Sequence, residues 1–117
     1  MFKRLITILL VVVSFFAFGC ESKQEKFDKL EKELVAENAA AMHEVQKAAD
    51  AKDYQKMMDL ADKNIAEIEK KVKQLEDVAK GDKALETKAS EKRIWHEQQK
   101  ILLERGRRGF QKAGVIK

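Results

Sequence analysis

The chain of 117 residues has no proline, one cysteine and five glycines. A lone cysteine excludes a disulfide within the chain. The absence of proline removes the commonest interruption of a long helix. Glycine-rich phosphate loops, a His-x-x-x-His pair and a nucleophile elbow are all missing. Beyond residue 20 the only hydroxyl side chains are Ser22, Tyr54, Thr87 and Ser90. Ser90 and His96 stand six apart, which places them on different faces of one helix. The two histidines, His43 and His96, read as helix-surface residues rather than metal ligands. Neighbouring acids such as Glu31 with Glu33 and Glu76 with Asp77 read as a solvated face. No enzyme, cofactor, metal site or catalytic residue is therefore expected.

The first twenty residues carry the most specific pattern. Lys3 and Arg4 precede Leu5 to Phe18, a run of 14 uncharged, mostly apolar residues closed by Ala17-Phe18-Gly19-Cys20. A membrane-spanning helix needs about 20 apolar residues. A basic start, a shorter apolar run and small residues at the cut describe a secretory signal. The segment resembles a bacterial lipoprotein signal peptide, with Ala17 where that family usually has leucine. The resemblance implies cleavage before Cys20 and acylation of its sulfur and new amino group. Glu21 rather than Asp at the next position implies, in an enteric-type host, an outer-membrane lipoprotein facing the periplasm. Two or three acyl chains would anchor it durably, since each buried methylene contributes about 0.8 kcal/mol.

Cleavage would leave Cys20 to Lys117, one small domain by length. Ala, Glu, Lys, Leu and Gln dominate this part, all good helix formers. Glu21-Ser22-Lys23 forms a short tether. A first helix is expected over 24–49, with Phe27, Leu30, Leu34, Ala41, Val45 and Ala48 on one face, flanked by Val35 and Met42. Asp50 to Asp53 forms the turn, with Asp53 as N-cap of the next helix. The apolar stripe changes phase here, so one continuous helix is excluded. A second helix over 54–79 carries a sustained heptad: Tyr54, Met58, Ala61, Ile65, Ile68, Val72, Leu75 and Ala79. Ala51 to Ala61 resembles one hairpin of the tetratricopeptide type, without that family's repeat. Gly81 and Asp82 mark a stop and a start. A third helix is expected over 83–105, with Leu85, Ala89, Ile94, Trp95, Gln98, Ile101 and Leu102 inward. Residues 106–117 are expected as a basic tail. Three matched helices with short turns predict an all-α, antiparallel three-helix bundle with heptad-like packing.

Charge divides unevenly. Glu21 to Ala79 holds 15 acids and 11 bases, whereas Lys88 to Lys117 holds 9 bases and 3 acids. All four arginines beyond Arg4 lie in the last third. Arginine suits carboxylate and phosphate groups. Trp95, Arg105, Arg107, Arg108 and Lys112 are the candidate partner-binding residues. Their target would be an anionic cell-wall polymer or an envelope protein; nucleic acid is not expected. With the membrane end at Cys20, the arginine-rich end would lie about 40 Å away. The expected function is a non-enzymatic binding or structural module of the envelope. Alternatives are an inhibitory or exclusion lipoprotein, a homo-oligomer, and a peptidoglycan tether through Lys117. The last resembles the murein lipoprotein of enteric bacteria, although the Gly-Val-Ile-Lys ending lacks the aromatic and basic residues found there.

Overall fold

A computed structural model describes residues 22–117. The expected signal peptide and acylation at Cys20 lie outside the described residues. Three helices follow in order: α1 (Lys23–Asp50), α2 (Tyr54–Ala79) and α3 (Lys83–Lys112). They form an antiparallel three-helix bundle. The middle helix packs on both neighbours, while α1 and α3 scarcely meet.

Local chemistry sets each boundary. Ser22 accepts a hydrogen bond from the Glu25 amide and starts α1. Asp53 accepts from the Lys56 amide and starts α2. Asp82 accepts from the amides of Ala84 and Leu85 and starts α3. Each satisfies donors that a helix start leaves without partners. The first turn has no glycine, so Lys52 itself takes the left-handed conformation, φ 59°. The second turn uses Gly81 at φ 87°, where a side chain would be strained.

The core lies at one end. Phe27 and Leu34 of α1, Ile68, Val72, Leu75 and Ala79 of α2, and Leu85 and Ala89 of α3 form one buried cluster. Lys23 caps this end by donating to the Lys80 carbonyl at 2.6 Å. The opposite end holds the α1–α2 turn and the close of α3. There Phe110 stacks on Tyr54, with ring centroids 5.1 Å apart. Lys117 also returns to α2, its amide donating to Gln55 at 3.0 Å.

Three expectations are corrected. The third helix runs through Gly106 and Gly109 to Lys112 rather than ending at Arg105. The Tyr54–Phe110 stack and the bond from Arg107 to Asp62 hold those turns against α2. Leu85 and Ala89 of α3 are buried as expected, but from residue 94 onward the inward face is displaced by about one residue: His96 is buried, while Ile94, Gln98, Ile101 and Leu102 are exposed. His96, expected on the helix surface, is fully buried and carries the stripe through the middle of the helix. On α2, Asn64 is buried while Ala61 and Ile65 are only half-buried.

Candidate functional site: an open apolar cleft

Counted from the closed end, Asn38, Asn64 and Gln99 lie at nearly the same level, 15 or 16 residues along their helices. That is about 23 Å at 1.5 Å per residue. The Asn64 side-chain amide donates to the Asn38 side-chain oxygen, Oδ1, at 3.0 Å. These amides form a polar layer. Beyond it a cleft of about 450 Å³ opens over α2, between residues of α1 and α3. Met42 and Val45 supply one wall; Met57, Met58, Ala61 and Ile65 the floor; Leu102, Leu103, Gly106 and Phe110 the other wall. Trp95 and Gln99 stand at its inner end. From Gln99 to Phe110 the cleft runs about 16 Å along α3.

Thioethers are flexible and polarizable and adapt to irregular apolar shapes. Met42 is 50% exposed and Leu102 58%, so apolar surface continues out onto both lips. A pocket with an apolar lining and few polar groups is the usual form of a binding site.

The candidate residues fall into two groups. Trp95 is half-buried, packs on the core cluster and lines the cleft, with the Lys92 ammonium 5.9 Å from its ring centroid. Arg107 is turned inward to Asp62 and Glu104. That hydrogen bond to Asp62 raises its pKa further against the cost of burial. Arg105, Arg108 and Lys112 are exposed and, among the described residues, form no ion pair. Arg105 stands one turn beyond Leu102, on the lip. The charge asymmetry is therefore partly internal and partly free.

A second polar cluster sits below the amide layer. Arg93 donates to Glu69 and Glu76, each at 2.6 Å, and approaches Glu97 at 3.5 Å. The hydrogen bonds to Glu76 and Glu69, together with their charges, more than offset burial and raise the Arg93 pKa. Burial pushes the Glu69 carboxyl upward, but Arg93, with His96 and Lys73 adding, holds it below the usual carboxylate range. His96 Nε2 lies 2.7 Å from the same Glu69 oxygen. The approach is close but out of line, so neither ring nitrogen has a hydrogen-bond partner. Glu69, His96 and Glu97 offer ligand atoms within 4.8 Å of one another. The Arg93 guanidinium, however, already sits on both carboxylates, where a metal cation would have to displace it. We read the cluster as a clamp between α2 and α3. His43 is exposed on α1 and stands outside it.

Sequence reasoning missed the cleft. Its trace is the uncharged run Asn38-Ala39-Ala40-Ala41-Met42-His43, in a chain that is 38% charged. Among the described residues no helix is long and apolar enough to cross a membrane. No family model matches the chain, and no curated protein and no solved structure is significantly similar to it.

Proposed function

We propose that this is a non-enzymatic binding module of the bacterial envelope, held at a membrane through acylated Cys20. It receives the apolar part of an anionic partner in the cleft. The observation that carries the reading is the open, methionine-rich cleft beside whose lip stands the exposed Arg105, without an ion pair among the described residues. Lys112, two turns on, extends the positive charge along the same side of α3, while Arg108 points to the opposite face. The lipobox-like Ala17-Phe18-Gly19-Cys20 supports the anchor. The closed end of the bundle then faces the membrane, and the cleft opens more than 20 Å farther out, at about 1.5 Å per helical residue.

A photo-crosslinking residue in place of Leu102, in the full chain expressed in a bacterial host, tests this. Discrete adducts that disappear in the R105E/K112E double variant are expected. Absence of any adduct beyond the chain itself would remove the binding reading. Cys20→Ser should separately release the protein from the membrane fraction.

A further inference from the structure

We infer that the cleft is the seat of an amphipathic helix from a partner polypeptide, with an apolar stripe about three turns long and acidic side chains along one flank. This rests on the binding reading above and names the partner's chemistry. The first support is the heptad of α2. Its C-terminal half, Ile68 to Ala79, is buried against the neighbouring helices. In its N-terminal half Met58 is buried, but Ala61 and Ile65 of the same stripe line the cleft and are only partly buried. A 3.5-residue repeat is the pattern of helix packing on helix, and the helices of the described residues leave these two positions incompletely covered.

Gly106 is the second support. Glycine inside a helix costs about 1 kcal/mol relative to alanine. A Cβ at Gly106 would meet nothing within 4 Å, so no neighbour in the chain accounts for the missing side chain. The residue lines the cleft, where a bare backbone lets a second helix approach closely.

Charge gives the third. The α1 wall is uncharged from Asn38 to His43, while Arg105 and Lys112, seven apart on α3, flank the lip at Leu102 and form no ion pair among the described residues. The complementary occupant is neutral along one side and acidic along the other. A single acyl chain would fill the floor but leave the lips, Met42 and Leu102, uncovered. Ser22, the first described residue, stands at the closed end, about 23 Å from the inner edge of the cleft. Recognition of this kind places a helix in an apolar groove through anchors at i, i+3, i+4 and i+7.

Trp95, the only tryptophan, makes the test direct. The full chain, reconstituted in phosphatidylcholine vesicles, is titrated with a synthetic helix of about 18 residues, five turns. The peptide carries a leucine stripe and glutamates on one flank; a matched peptide carries lysines there. Oleate is the third probe. The glutamate peptide should shift Trp95 emission saturably, and at least tenfold more tightly than the lysine peptide. R105E/K112E should reverse that order with the far-ultraviolet spectrum unchanged, a result that a general loss of structure could not produce. If oleate moves Trp95 and neither peptide does, the helix inference falls while the binding reading stands. A concentration-dependent shift without any probe would identify a second copy as occupant and also overturn it. If no probe acts and the Leu102 crosslinker finds nothing, both readings fall.

Discussion

The Phe110 ring lies on Tyr54 at 5.1 Å and 22°, joining the last turns of α3 to the first residue of α2. This contact closes the far end of the cleft. It also explains how a helix persists through two interior glycines. Phe110→Ala should lose the stacking, about 1 kcal/mol beyond the buried area. Amide exchange should accelerate over residues 106–112 and stay unchanged over 85–96. Uniform acceleration would mean that the contact is not local.

The turn between α1 and α2 offers a stabilising change. Lys52 holds φ 59°, and a residue with a Cβ pays about 1–2 kcal/mol in the left-handed region. Lys52→Gly removes that strain but adds freedom to the unfolded chain. The net expectation is a gain of up to about 1 kcal/mol in urea unfolding. Gly81→Ala, with φ 87°, should move stability the other way.

The amide layer should show strong coupling. Asn64 is buried and bonded to Asn38. Replacing one asparagine with leucine strands the other amide and should cost about 1–3 kcal/mol. The N38L/N64L double variant should recover most of that loss. A double-mutant cycle on equilibrium stability measures it, and additive losses would contradict the pairing.

Acid should weaken the bundle through two carboxylates. The hydrogen bond from Lys71 lowers the Glu33 pKa, and Glu69 is lowered by Arg93 despite burial. A depressed folded-state pKa contributes stability that is complete above the unfolded value, here 4.5. It is lost as pH falls through the lower folded values. Urea midpoints should therefore hold steady from pH 7 to about 5 and fall below 4.5. E69Q should be less stable at neutral pH and show a shallower fall.

Sequence alone determined the helices and most of their ends. The Asp53 and Asp82 caps, the Gly81 stop and the lack of proline act locally, and they placed α2 and the start of α3 where the structure has them. The heptad of α2 likewise identified Ile68, Val72, Leu75 and Ala79 as core, because a buried stripe must repeat with the helix. Only the tertiary structure decided the phase of α3 and the fate of its charges. His96 faces inward on the face that Leu85 and Ala89 begin, beside Glu69 of α2; its polarity, not its position in the helix, concealed this. Arg93 and Arg107 are consumed by acids 17 to 45 residues away in sequence, whereas Arg105 is left free by the direction its turn faces. The cleft, too, is lined by residues of all three helices, a relation between helices that no single helix encodes.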